Sequence, residues 1–267
     1  MRYSFYPGCT LKTKAKRFED TALKSAAALG IDLQELEEWQ CCGAVFPLAS
    51  DELVTLLSPV RALNAAAEKG QPLVTLCSAC HHVLKRANEV IRSKNDVREK
   101  VTDYLEIDYD GSGKVIHFLE LLRDEIGFDT LAEKVKEKLE GRKLAAYYGC
   151  LLLRPQEAMQ FDDPEDPQII EDFLVALGAD VIEYPYRTEC CGAYLSVTEK
   201  ELAEDRVGRI ISSAKKNGVE GLVVACPLCH YNLEQFQNDN PEQAIPIYYF
   251  TELLAEALGL SLKEKTA

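Results

Sequence analysis

Leu73-Val74-Thr75-Leu76-Cys77-Ser78-Ala79-Cys80 is a short apolar run that closes on a Cys-x-x-Cys pair and opens onto a polar, amphipathic stretch. The same arrangement recurs at Leu222-Val223-Val224-Ala225-Cys226-Pro227-Leu228-Cys229. A brief apolar run bounded by a helical pattern reads as a strand buried on both faces, the kind found in parallel sheets. Strands over 73–76 and 221–225, with helices over 78–93 and 227–236, follow from it.

The flanking sequence repeats the alternation. In the first half, 2–6 reads as a strand and 11–29 as a helix ended by Gly30. Asp51–Ser58 and Pro59–Lys69 read as two helices, with Pro59 in a first turn and Gly70 as a stop. In the second half, 143–148 and 180–184 read as strands, and 167–177, 198–216 and 250–258 as helices, with Gly178 and Gly218 as stops. Strands alternating with helices predict an α/β protein with right-handed crossovers. The expectation is two pseudo-symmetric halves, 1–141 and 142–267, each a small parallel sheet flanked by helices. Two stretches break the symmetry: the polar 93–114 and the acidic loop Pro155–Pro167, placed to cover a site or to lie solvated.

All ten cysteines obey the same duplication. Cys9 is followed by Cys41-Cys42-Gly43 and by Cys77 and Cys80; Cys150 is followed by Cys190-Cys191-Gly192 and by Cys226 and Cys229. The interval from each adjacent pair to its Cys-x-x-Cys is 34 residues in both copies. Cysteines kept for packing need no common register, whereas ligands to a shared object do. Cys9, Cys77, Cys150 and Cys226 are each expected to close a strand and open a helix. Ligands of open α/β sheets gather at such places, and helix amino termini there favour anions such as thiolates.

Composition narrows the chemistry. A net charge of −14 over 267 residues disfavours nucleic acid. No apolar run approaches the length of a membrane span, and the first nine residues leave no room for a signal region, so a cytoplasmic protein is expected. Reduced thiols in clusters then point to metal or redox chemistry. A lone Cys-x-x-Cys is shared by zinc sites, redox dithiols and iron–sulfur clusters. Five cysteines per half sit awkwardly with a four-ligand zinc tetrahedron, and a dithiol leaves three per half unexplained. Iron–sulfur ligation is the favoured reading, and five ligands exceed the four of an ordinary cubane.

The doubled pattern resembles the paired CCG motifs of the B-type subunit of heterodisulfide reductase, over essentially the whole chain. The resemblance implies two noncubane [4Fe-4S] clusters, one on Cys9, Cys41, Cys42, Cys77 and Cys80, the other on Cys150, Cys190, Cys191, Cys226 and Cys229. It implies a disulfide held between them, coenzyme M–coenzyme B in a methanogen or a related heterodisulfide elsewhere, and cleaved to two thiols. It also implies two partners within one complex, a ferredoxin-like iron–sulfur subunit and a flavin-bearing subunit, with the second cluster nearer the electron source. No nucleotide fingerprint and no ferredoxin run occurs in this chain, so flavin and relay clusters would come from those partners. The alternative is an electron-transfer subunit of a lactate, glycolate or succinate dehydrogenase, where related domains occur. A structural zinc protein is the third reading.

Other residues are weighed beside the ligands. Lys12, Arg154 and Arg187 lie near cysteines and are candidates to bind an anionic substrate, while Lys14 and Lys16 read as an exposed helix face, with Arg17 in the same basic run. His81 and His230 occupy matching positions after the Cys-x-x-Cys pairs and are candidate proton donors, with His82 beside His81. Gly43 and Gly192 would let the backbone approach a cluster.

Overall fold

The computed structural model describes residues 1–44, 52–237 and 244–261. Two four-stranded sheets, all parallel, form its centre. The first contains β1 (Arg2–Tyr6), β2 (Asp32–Glu35), β3 (Leu73–Thr75) and β4 (Val115–His117), in the spatial order β2-β1-β3-β4. The second contains β5 (Lys143–Tyr147), β6 (Asp180–Val181), β7 (Gly221–Val224) and β8 (Ile247–Tyr249), in the order β6-β5-β7-β8. The two orders are the same, so the α/β architecture with pseudo-symmetric halves is as expected.

Helices α1 (Lys16–Ala28), α2 (Glu52–Glu68), α3 (Ser78–Ser93), α4 (Asn95–Leu105), α5 (Phe118–Leu121) and α6 (Phe128–Lys134) belong to the first half of the chain. The second half supplies α7 (Gln156–Met159), α8 (Ile169–Ala176), α9 (Lys200–Lys216), α10 (Pro227–Gln235) and α11 (Phe250–Ala257). Central strands β3 and β7 are buried at every position, which accounts for their uninterrupted apolar sequence.

Some elements differ from the sequence reading. Pro59 does not start a new helix: α2 runs through it, because packing against α3 and α4 outweighs the one backbone hydrogen bond that proline forgoes. Asp51 lies outside the described residues. The polar stretch after Ser93 contains α4, whose Val97, Val101 and Leu105 recur at helical spacing on its inner face. Residues 180–184 form only the two-residue β6. Strands β2, β4 and β8 are too short or too polar to stand out by periodicity.

The halves interlock. Helix α1 packs on α11, across the division between sheets, and α7 packs on α3 in the reciprocal sense. Thr21 Oγ1 lies 2.6 Å from Thr251 Oγ1, and Lys85 Nζ donates to the Met159 carbonyl at 2.6 Å.

Candidate metal centre

In each sheet the chain leaves the central strand, forms the neighbour on one side, and returns to form the neighbour on the other. The carboxyl ends of β1 and β3, and of β5 and β7, flank this reversal, where open α/β sheets hold ligands. Cys9 follows β1 and Cys77 follows β3; Cys150 and Cys226 follow β5 and β7. Cys77 and Cys226 are the N-cap residues of α3 and α10, as expected. Cys9 and Cys150 instead open irregular turns, and α1 begins only at Lys16.

The fold collects each five-cysteine set. Cys41 Sγ is 3.6 Å from Cys9 Sγ, and Cys42 Sγ is 3.6 Å from Cys80 Sγ. In the second half Cys191 Sγ is 3.5 Å from Cys229 Sγ, and Cys150 hydrogen-bonds with Cys190. All five cysteines of that set line one cavity of about 20 Å³, together with Ser78, Leu151 and Tyr194. The two sets also meet, since the Cys77 and Cys226 side chains hydrogen-bond to one another. Beside them the Ser78 N–H and hydroxyl both donate to the Ala225 carbonyl, at 3.1 and 2.8 Å.

Contact between sulfurs divides the protons unequally. Hydrogen bonds from Cys41 and Cys80 lower Cys42 to about 3, while Cys41 is pushed up by its bond to Cys42 and by burial. Cys190 is lowered to about 6, chiefly by its bond with Cys150. Each set therefore presents thiolate, the form that binds metal. Among the described residues no group of three or more His, Cys, Asp or Glu is placed to hold a single metal ion. Five sulfurs gathered at one sheet end, without oxygen or nitrogen donors among them, suit soft metal and iron–sulfur chemistry.

Glycines before the first cysteine of each half permit this gathering. Gly8 has φ +73°, and a Cβ there would lie 2.7 Å from Cys80 Sγ; at Gly149, with φ +65°, it would lie 3.3 Å from Cys229 Sγ. Gly43 and Gly192 follow the adjacent pairs with φ +81° and +74°. Tyrosines ending the first strands hold the residues before those pairs: Tyr6 donates to the Gln40 carbonyl at 2.5 Å, and Tyr147 to the Glu189 carbonyl at 2.7 Å. The repeat Tyr-x-Gly-Cys, read as 6–9 and 147–150, carried this signal.

The basic candidates are occupied by protein partners. Lys12 Nζ lies 2.6 Å from carboxylate oxygens of both Glu19 and Glu35. Arg154 donates to the Thr188 and Pro164 carbonyls and to Glu165. Arg187, only 7% exposed, pairs with Glu171 at 3.0 Å and also meets Asp166 and Glu183. Its carbonyl accepts the N–H groups of Tyr148 and Gly149, so it braces the turn that leads to Cys150. Lys14 is exposed, Lys16 pairs with Asp20, and Arg17 pairs with Glu252 at 2.5 Å.

His81 is fully buried, with no hydrogen-bond partner on either ring nitrogen among the described residues; Glu120 Oε2 stands 3.5 Å from Nε2. Burial lowers its proton affinity, and lowers that of His230 to about 4, so both are neutral at pH 7. His230 Nδ1 faces Glu234 at 3.2 Å. His82 Nδ1 faces the Leu151 carbonyl, crossing between the halves.

A larger cleft of about 840 Å³ opens beside Cys42 and Gly43. Its walls are mainly apolar (Leu53, Leu56, Val83, Val90, Val97), with Leu151 and Tyr194 contributed by the second half. Arg86, Lys94 and Lys100 lie along it, and so do Asp96 and His82. Tyr194 and Leu151 border both this cleft and the small cavity of the second set. Sequence reasoning passed over Tyr194, which lacks a counterpart in the duplicated pattern.

Comparison with known proteins agrees with the duplication. Residues 3–85 and 144–234 each match the CCG cysteine-rich domain. The 8-methylmenaquinol:fumarate reductase membrane anchor subunit of Wolinella succinogenes is 32% identical over 268 residues, 98% of this chain and 94% of that protein. The B-type subunit of the ferredoxin/F420H2-dependent CoB-CoM heterodisulfide reductase of Methanosarcina acetivorans is 26% identical over 274 residues, 98% of this chain and 91% of that protein. A crystal structure of a hypothetical protein from Helicobacter pylori superposes with a TM-score of 0.76 at 11% identity; it aligns with 97% of this chain, which spans 49% of that one. Among the described residues, no helix is long and apolar enough to cross a membrane. The chain belongs to the CCG cysteine-rich domain family and carries that domain twice, as the B-type subunit of heterodisulfide reductase does.

Proposed function

We propose that this chain is the iron–sulfur, disulfide-reducing subunit of a multi-subunit oxidoreductase. Its ten cysteines would hold two [4Fe-4S] clusters of noncubane type, five ligands to each. The observation that carries the reading is the meeting of two complete thiol sets, at Cys77 and Cys226, beside a cleft large enough for a small molecule. Relatives named as B-type subunits of heterodisulfide reductases, at 26% identity over nearly the whole chain, support the same assignment.

Reduction of a disulfide consumes two electrons and two protons and releases two thiols. Bound clusters supply one-electron transfer, and two of them match the electron count. The protein's part is to position and to exclude water. Cys9, Cys41, Cys42, Cys77 and Cys80 fix one side, and Cys150, Cys190, Cys191, Cys226 and Cys229 the other. Leu53, Leu56, Val83 and Val97 keep the cleft apolar, and Arg86 and Lys94 bring positive charge to it. Of the protic side chains lining the cleft, His82 and Tyr194 stand nearest a cysteine in sequence. His81 and His230, neutral and buried behind the cysteines, are reserve positions for a proton donor. Lys12, Arg154 and Arg187 act in this reading as braces of the cysteine-bearing turns, through their carboxylate and carbonyl partners. Electrons would arrive through a ferredoxin-like subunit from a flavin-bearing one.

The 32% relative named as a fumarate reductase anchor subunit favours a second reading, in which the clusters relay electrons for a dehydrogenase and bind no disulfide. Turnover separates the two. Anaerobically purified protein, supplied with reduced viologen dye and a panel of asymmetric disulfides, should release free thiol with at least one of them. Electron flow to a dehydrogenase partner, with no thiol released from any disulfide, would favour the relay.

A further inference from the structure

Each half of the chain plants one phenylalanine on the histidine that follows the other half's Cys-x-x-Cys. Phe18, nine residues after Cys9, lies parallel to Tyr249 at 4.3 Å between ring centroids and 6° between planes. Tyr249 in turn stacks on His230 at 4.2 Å and 14°, and His230 is covalently next to Cys229. The three rings form one pile that begins in the first half and ends at a cysteine of the second. Phe161, eleven residues after Cys150, meets His81 at 6.3 Å and His117 at 5.6 Å, both edge to face, and His81 is next to Cys80. His81 and His117 complete the triangle at 5.5 Å.

The segments bearing these rings are tied to the half they visit. Arg17 pairs with Glu252, whose other oxygen accepts the Tyr249 N–H at 2.9 Å, and Thr251 Oγ1 donates to the Phe18 carbonyl at 3.1 Å. Reciprocally, Arg123 donates to the Phe161 carbonyl at 3.1 Å, and Lys85 to that of Met159. Phe18 and Phe161 are wholly or almost wholly buried. His81 lacks hydrogen-bond partners, so ring contacts, and not polar bonds, fix its orientation.

The geometry points to crossed support: Phe18 is a positioning residue for the second cysteine set, and Phe161 for the first. A substitution in the first half should therefore act on the second half's metal centre, 211 positions further along the chain at Cys229 (229 minus 18), and spare the centre whose own cysteines are nearest in sequence. The inference rests on reading the ten thiols as ligands of two centres.

Two single-centre backgrounds make the test. Cys41→Ser leaves the second set intact, and Cys190→Ser leaves the first. In each, iron release to a chelator and the low-temperature EPR spectrum are recorded with and without Phe18→Ala. Loss of one aromatic stack predicts release from the second centre faster by about fivefold to tenfold, with a shifted EPR signal, and no change at the first. Phe161→Ala should give the mirror result, and Phe18→Tyr, which keeps the ring, should restore the second centre. Should Phe18→Ala fail to accumulate, Phe18→Leu keeps apolar bulk without the stack and is read the same way. Equal acceleration at both centres, or an effect on the first alone, overturns the inference. Absence of iron from the unsubstituted chain would instead refute the cluster reading on which it stands.

Discussion

The phenolic oxygen of Tyr147 lies 2.7 Å from the carbonyl oxygen of Glu189 and donates a hydrogen bond to it. Tyr147 is the last residue of β5, and Glu189 immediately precedes Cys190, so the bond ties the adjacent cysteine pair to the sheet. Tyr6 and Gln40 repeat it in the first half. Tyr147→Phe should cost about 1 kcal/mol in stability. It should also lower the iron bound by the second half, whereas Tyr6→Phe should act on the first. Equal iron content in Tyr147→Phe and the parent, by metal analysis, would show that the bond has no part in placing the cysteines.

Gly8→Ala meets two obstacles, a left-handed backbone and a Cβ 2.7 Å from Cys80 Sγ. Loss of most iron from the first half is expected, with the second retained. Gly149→Ala shares the backbone strain but has 3.3 Å of room, so its second centre should be weakened less. Metal analysis of both variants, each scored against the opposite half, checks the ordering.

Arg187 carries a buried charge balanced by Glu171 at 3.0 Å, and Glu171 also accepts the Tyr148 hydroxyl. Removal of one member leaves the other uncompensated. Arg187→Met should destabilise the protein by about 3 kcal/mol or more in urea unfolding. A residue used only to bind substrate would raise KM and leave the urea midpoint where it was.

Burial lowers His117 to about 4 from an ordinary 6.5, so the folded protein holds this ring neutral while the unfolded chain protonates it. Its contribution to stability is present above pH 6.5 and is lost as pH falls toward 4, a change of about 3 kcal/mol for this group. Urea midpoints measured from pH 7 to pH 4.5 should fall. The slope should be shallower in His117→Asn, which removes the titrating ring; an unchanged slope would assign the acid lability to other groups.

Much of the fold was legible because β3 and β7 are buried on both faces and leave unbroken apolar runs before a cysteine. The switch-point placement of Cys9, Cys77, Cys150 and Cys226 followed from that pattern. Strands β2 and β8 were not legible, since Asp32–Glu35 is polar and Ile247–Tyr249 spans only three residues. Nor was the interlock: Phe18 and Phe161 look like ordinary core residues, and only the packing of α1 on α11 and of α7 on α3 reveals that they cross between halves. Lys12, Arg154 and Arg187 illustrate a further limit. Proximity to a cysteine in sequence signals a nearby charge, but the carboxylates that engage it come from residues far along the chain.

Iron and acid-labile sulfide per chain, measured on anaerobically isolated protein together with the Cys42→Ser and Cys191→Ser variants, test the central claim most directly. Two four-iron centres predict about eight irons and about eight sulfides in the parent. Each variant should retain about half, with EPR signals that differ between the two and together reproduce the parent's. A single zinc ion per half without sulfide, or loss of all iron in both variants, would contradict an independent centre in each half.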